Sequence, residues 1–175
     1  MWLLRGVVWT LWGANAALSL VYCIIAAVSY SNVNKLYKKL GSQENKELNH
    51  SKISMMGIQS AYVLGIIIIT AYTSYSFLIL MRRWFAQSRL AGLKHGIIVT
   101  SSVCTSMFML LSALTLHSHE TQIHGGLNDE HINTYQASFL FAYVLTGTYM
   151  VIFVALIFSE SAFTSEGSAA ALDVE

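Results

Sequence analysis

Long runs of apolar residues, set apart by short polar segments, divide the chain into four similar lengths. The runs cover about residues 6–30, 53–81, 96–116 and 136–158. Each holds roughly 20 residues or more, which as a helix matches the ~30 Å hydrocarbon core of a bilayer. The pattern predicts an all-α integral membrane protein in which four transmembrane helices form an up-down bundle over residues 1–158. Residues 159–175 are small, polar and acidic without apolar periodicity, and a disordered acidic tail is expected there. The first run could be mistaken for a signal peptide, since it follows Arg5 and ends near Ala26-Ala27-Val28-Ser29. It is longer than the ~7–15 residues of a signal core, so a membrane helix is the better reading. Leu36, Tyr37 and Leu40 keep helical spacing after the run, which carries the expected helix on to a stop at Gly41.

Small residues recur within the runs at helical spacing. Gly6, Thr10, Gly13 and Ala17 form one stripe, and Gly57, Ala61 and Gly65 form another. Such stripes let helix backbones approach closely in lipid, so Gly6, Gly13, Ala17, Gly57, Ala61 and Gly65 are the expected helix-packing positions. The third run has Ser101 and Thr105, and Ser102 and Ser106, four apart; its small polar face is expected to pack on both stripes. Asn15 sits in mid-span, where its amide needs a partner. The second run ends in hydroxyls from Thr70 to Ser76, which can bond back to carbonyls three or four residues earlier or line a wet path. The fourth run is aromatic, with Phe139, Phe141, Tyr143, Tyr149, Phe153 and Phe158, and this face is expected to meet partner proteins.

Composition strengthens the membrane reading. Hydrophobic residues make up 55% of the 175, and charged residues only 11%, against about 25% in a soluble domain. Cys23 and Cys104 lie inside apolar runs, which argues against four-span architectures stapled by loop disulfides, such as tetraspanins and claudins. The chain has no proline, which favours continuous helices over the broken helices of many transporters. With a formal charge of +1 and no basic face outside the runs, nucleic-acid binding is not expected.

Charge bears on orientation. The turn between the second and third runs carries Arg82, Arg83, Arg89 and Lys94 and no acid. On the opposite side Lys35, Lys38, Lys39, Lys46 and Lys52 match these four and Arg5 in number, so the positive-inside count ties. The density of charge in the short turn favours a cytosolic turn and cytosolic termini. Trp2, Trp9, Trp12 and Trp84 fit one interfacial belt on that side. Arg82, Arg83, Arg89 and Lys94 are then the expected docking point for anionic lipid headgroups or an acidic partner.

Candidate chemistry is sparse. No Asp, Glu, Lys, Arg or His occupies the centre of any run, which disfavours pumps and proton-coupled carriers. No hydrolase triad, metalloprotease motif or phosphate-binding glycine loop occurs. The segment from His117 to Tyr135 is expected to be a loop. It holds four of the six histidines, and His117, His119, Glu120, His124 and His131 could supply nitrogen and oxygen ligands to zinc or copper. A solvated polar loop is the competing account of the same residues. A haem clamped between helices is not expected, because His95 and His117 lie at opposite ends of one run. Asn49-His50-Ser51 is a glycosylation sequon close to the second run.

The reading is therefore a small non-catalytic membrane protein. It would be an accessory or structural subunit that binds lipid and packs against other membrane subunits or copies of itself. The alternative is a homo-oligomeric channel or carrier with a hydroxyl-lined path from the second and third helices.

Overall fold

The computed structural model describes the backbone of residues 2–41, 48–85, 91–120 and 129–172, and the side chains of residues 6–38, 56–78, 96–120 and 131–158. The described chain is four long helices: α1 (Trp2–Gly41), α2 (Leu48–Phe85), α3 (Ala91–Ser118) and α4 (Asp129–Leu172). Each contains a stretch long and apolar enough to cross a bilayer: Gly6–Lys38, Met56–Leu78, Gly96–Ser118 and His131–Phe158. With no proline to remove an N–H, nothing interrupts the i to i−4 ladders. The α1 boundary at Gly41 agrees with the periodicity of Leu36, Tyr37 and Leu40.

Several boundaries depart from the sequence reading: α2 spans Leu48–Phe85 and α3 begins at Ala91, so Arg82, Arg83 and Lys94, expected in a turn, are helical residues. The segment from His117 to Tyr135 was expected to be a loop throughout. Instead α3 runs to Ser118 and α4 starts at Asp129, so His131 is a helical residue. Asp129 and Glu130 supply the negative charge that the first turn of a helix favours, and a hydropathy pattern cannot register that contribution. At the other end α4 continues to Leu172 through the segment expected to be an irregular tail. Ala169, Ala170 and Ala171 are strong helix formers, and Gly167 alone is a weak stop.

The helices pack in cyclic order, α1 beside α2 and α4, and α3 beside α2 and α4. Cross-helix bonds show that all neighbours are antiparallel. Trp12 meets Ser76 while Asn34 meets Gln59; Ser19 meets Tyr149 while Asn32 meets His131; Ser106 meets Thr146 while Leu116 meets Tyr135. One end of the bundle, the Trp12 end, therefore gathers the start of α1 and α3 with the later parts of α2 and α4. The other, the His131 end, gathers the reverse.

The interior positions follow a repeat of alternating three and four residues. On α1 they are Asn15, Ser19, Tyr22, Ala26, Ser29, Val33 and Leu36. On α2 they are Ile58, Tyr62, Gly65, Ile69, Tyr72 and Ser76; on α3, Ile98, Ser102, Thr105, Met109, Ser112 and Leu116. This is the spacing of helices crossing at a shallow angle. The usual composition is turned inside out. Hydroxyl, amide, small and tyrosine side chains take much of the seam, while Leu20, Ile24, Leu64, Ile67, Phe108, Leu111, Leu140 and Val151 face outward. This is the distribution that suits a bilayer, where an apolar exterior would meet no penalty and a polar group would gain most by turning toward another helix.

The small-residue stripes divide. Ala61 and Gly65 are buried within the bundle, but Gly6, Gly13 and Ala17 face outward. A Cβ on Gly6, Gly13 or Gly57 would meet nothing within 4 Å. The small polar face of α3 packs on the α2 stripe, where Ser112 donates to the Ala61 carbonyl at 3.3 Å, and α1 lies across the diagonal. The aromatic face of α4 also turns inward. Tyr149 and Phe139 are buried, and Phe141, Tyr143 and Phe153 are half-buried, which leaves Phe158 exposed. Tyrosine and phenylalanine supply the bulk that the small seam residues of α1 and α3 lack, and that draws them inside.

Candidate functional site

The polar groups collect in two places: a column along the bundle axis and a rim at the His131 end. The column is built around five buried tyrosines, Tyr22 on α1, Tyr62 and Tyr72 on α2, and Tyr135 and Tyr149 on α4. Two pairs fill the diagonal between α2 and α4. Tyr72 and Tyr149 meet edge to face at 5.1 Å and 88°, and Tyr62 and Tyr135 at 6.4 Å and 84°. These are the favoured geometries for aromatic rings.

The hydroxyls are wired between helices. Ser138 donates to its own helix at the Tyr135 carbonyl, 2.6 Å away, so its oxygen is free to accept from the Tyr62 hydroxyl, also at 2.6 Å. The Tyr135 hydroxyl donates in turn to the Leu116 carbonyl near the end of α3, where helical acceptors run out of intrahelical partners. Further along the axis, the hydroxyls of Ser19 and Tyr149 are 3.1 Å apart, and Thr148 donates to the Asn15 amide oxygen at 2.7 Å. Asn15 thus has the partner its mid-span position demands. Three serines donate directly to backbone carbonyls of a neighbouring helix: Ser29 to Thr134, Ser106 to Thr146 and Ser112 to Ala61. Each such bond needs close backbone approach, which the small seam residues permit.

Hydroxyls on outward or intermediate positions are satisfied differently. Thr10, Ser101 and Thr115 bond back to Gly6, Ile98 and Leu111 on their own helices, as expected for hydroxyls in an apolar setting. Among the described residues, the buried hydroxyls of Tyr22, Tyr72 and Thr73 meet no acceptor or donor in good hydrogen-bond geometry, although they lie near Ser112, Ser102 and Tyr149. The Tyr22 hydroxyl rests against Gly65, where a Cβ would lie 2.9 Å from it. A larger residue there requires the Tyr22 ring to shift.

The rim holds the described members of the histidine cluster and separates them. His131 faces α1, its Nδ1 3.3 Å from Asn32 Nδ2. His119 turns back on α3, with Nδ1 2.7 Å from the Thr115 carbonyl. His117 lies flat on Phe139, with centroids 5.0 Å apart and planes within 2°, and its Nδ1 is 3.2 Å from the Tyr143 hydroxyl. Glu120 accepts from Gln136 at 2.6 Å through one carboxylate oxygen and sets the other 4.0 Å from His117 Nε2. Among the described residues, no three of His, Cys, Asp or Glu come together as a metal would require. The fifth candidate, His124, lies outside the described residues, as do Arg89 and the side chains of Arg82, Arg83, Lys94 and Asn49.

The tyrosine column was not read from the sequence as a site. Its signal was available: Tyr62 with Tyr72, and Tyr22 with Asn15, Ser19 and Ser29, fall on the alternating three-four repeat once small and polar residues are counted as interior. Trp12 was placed in an interfacial belt. It also closes the column at its own end, where its indole donates to Ser76 at 2.9 Å and its ring lies 5.4 Å from Phe77. No protein-family model, curated protein or solved structure matches this chain.

Proposed function

We propose that the chain is a multi-pass membrane protein without a catalytic role, a structural subunit whose working surface is its outer face. One observation carries this reading. Every described polar side chain that is buried is neutral, and most bond across helices to a side chain or a backbone carbonyl, while large apolar side chains cover the exterior. Such a bundle holds its own shape and offers lipid and neighbouring membrane proteins a surface to pack on. The outward stripe of Gly6, Gly13 and Ala17 suits close approach by another helix. In this reading the termini and the Arg82–Lys94 segment face the cytosol, where anionic headgroups attract basic residues.

The test is native electrophoresis and quantitative mass spectrometry of detergent-solubilised membranes, with and without the gene for this chain. A subunit migrates with a fixed set of membrane proteins in constant proportion, and that assembly shrinks or dissociates when the chain is deleted. A chain that migrates alone, with every larger assembly unchanged by its deletion, rules the reading out.

A second reading is favoured by the unpartnered hydroxyls of Tyr22, Tyr72 and Thr73. Tyr72 and Ser76 of α2 and Ser102, Thr105, Ser106 and Ser112 of α3 are buried within a single chain, while Thr70, Ser74 and Tyr75 are exposed, so a polar path through the buried set would run inside one bundle rather than between copies. It would suit water or a small neutral solute. Liposome swelling with the purified chain distinguishes the two. A path through the column is slowed by Tyr72→Phe, whereas a purely structural subunit shows no flux above empty liposomes.

A further inference from the structure

We propose that the buried hydroxyls of Tyr72 and Thr73 hold bound water at the level of the bundle where all four helices contribute a hydroxyl. The inference starts from Thr73. Thr10, Thr105, Thr115 and Thr146 each donate to the carbonyl four residues back on their own helix. That is how a threonine satisfies its hydroxyl in an apolar setting. The Thr73 hydroxyl does not follow them. It is buried and meets no partner in bonding geometry, although it lies beside the Tyr149 hydroxyl. Tyr72, one residue earlier on α2, is in the same position. It is 5% exposed, and its hydroxyl lies near Ser102 of α3 without bonding to it. Its ring is not free to swing to a better partner, because it meets Tyr149 edge to face at 5.1 Å and 88°.

The neighbouring hydroxyls have acceptor capacity to offer. Ser102 already donates its proton to the Val99 carbonyl at 2.8 Å. The Tyr149 hydroxyl is 3.1 Å from that of Ser19 on α1, and when it donates there its oxygen can still accept. Two donors without acceptors, on Tyr72 and Thr73, therefore face two acceptors that they do not reach. Leaving a buried donor unmet is costly, and the apolar exterior of the bundle supplies no relief. A buried water typically makes about two to four hydrogen bonds to polar groups of this kind. Water here accepts from Tyr72 and Thr73 and donates to Ser102 and Tyr149, which meets all four groups at once. Each of these side chains is neutral, so the site suits water and not an ion. Tyr22 supplies the contrast. Its hydroxyl is also without a partner in good geometry, but Gly65 and Ser112 crowd it. Water is not expected there.

The bound water ties α2 to α3 and α4. This goes beyond the packing function proposed above and does not depend on it, and it differs from a path, which would wet the whole column. The test is X-ray radiolytic footprinting of the full chain in detergent, read by mass spectrometry. Radiolysis turns a bound water into a hydroxyl radical in place, and the radical hydroxylates the nearest rings whether or not bulk solvent reaches them. The expected result is hydroxylation of Tyr72 and Tyr149 at a dose that leaves Tyr22 and Tyr62 intact. In the double variant Tyr72→Phe with Thr73→Val, which preserves both shapes, hydroxylation of Tyr149 falls severalfold. Thr73→Val alone keeps the Tyr72 ring in place and gives a second measurement. Taking an unmet hydroxyl out of a dry interior leaves the melting temperature unchanged or raises it, whereas taking out one that holds water lowers it. A lowered melting temperature is expected. Tyr72 and Tyr149 as well protected as Tyr62 overturn the proposal, as does Tyr149 labelling that the double variant leaves unchanged. Labelling spread evenly through Tyr22 and Tyr62 overturns it in favour of a continuous wet path. A melting temperature for Thr73→Val at or above that of the native chain overturns it as well.

Discussion

The two ends of the bundle hold the same four helices together by different means. At the Trp12 end, Ile98, Ile152 and Leu156 form a small apolar cluster with Val8, Leu11 and Val99, joined by the Trp12–Ser76 bond and, one to two turns inward, by Asn15–Thr148 and Ser19–Tyr149. At the His131 end the helices are joined by named polar pairs: Ser29 with Thr134, Asn32 with His131, Asn34 with Gln59, Tyr62 with Ser138, Tyr135 with Leu116, and Glu120 with Gln136. Apolar contacts tolerate a sliding helix, because one branched side chain replaces another at little cost. A hydrogen bond between specific atoms does not. The denser polar pairing toward the His131 end is expected to hold the register more firmly there than at the Trp12 end.

The comparison can be broken most severely between the two ends, at Gly65. Any larger residue there drives into the Tyr22 hydroxyl and then Ser112 Oγ, 2.9 and 3.6 Å from the added Cβ. Gly65→Leu is expected to cost about 3 kcal/mol, the upper range for overpacking a filled interior. Gly13→Ala, on the open outer face, should be tolerated. Thermal unfolding of the two variants in detergent measures the contrast, and equal melting temperatures would show that the Tyr22 contact does not constrain α2.

A smaller effect is expected from Tyr135→Phe. The ring packing survives, and the Leu116 carbonyl keeps the His119 N–H at 3.3 Å but loses its shorter bond from Tyr135. Losing one such hydrogen bond costs about 1 kcal/mol. If the His131 end holds the register more firmly, hydrogen exchange should also rise at the end of α3 and the start of α4 while the Trp12 end keeps its protection. Exchange that rises evenly along all four helices would count against that division.

The smallest effect belongs to Ser76→Ala. It removes the acceptor of the Trp12 indole, and membrane hydrogen bonds of this kind average about 0.6 kcal/mol. Trp12 keeps its rings against Trp9 and Phe77. A loss as large as that of Tyr135→Phe would mean the Trp12 end also depends on polar specificity.

Four helices of membrane-spanning length follow from hydropathy alone, because run length and the scarcity of charge are properties of the chain. So does the helical reach of α1 to Gly41, written in the spacing of Leu36, Tyr37 and Leu40. The inward faces were less legible. In a soluble bundle apolar residues mark the interior, but here leucine and isoleucine serve both inside and out. Ile58 and Ile69 are buried while Ile24 and Ile67 face outward. The outward turn of Gly6 and Gly13 could not be told from the inward turn of Gly65, since small residues suit any close contact.

The candidate site divides in the same way. The sequence by itself determined which side chains could bind or bond: the histidines and acids near the end of the third run, the serines of α3, and the tyrosines. Only the tertiary structure decided their partners, by setting α4 antiparallel to both α1 and α3. His117 lies in the last turn of α3 and Glu120 just beyond its end at Ser118. Packing then supplies Tyr143 and Gln136 from α4 to orient them, and sends His131 to Asn32 on α1 instead. The physical reason is one of range. Helix length and facing depend on neighbours three or four residues away, whereas these pairings join residues separated by tens of positions and exist only once the helices have met.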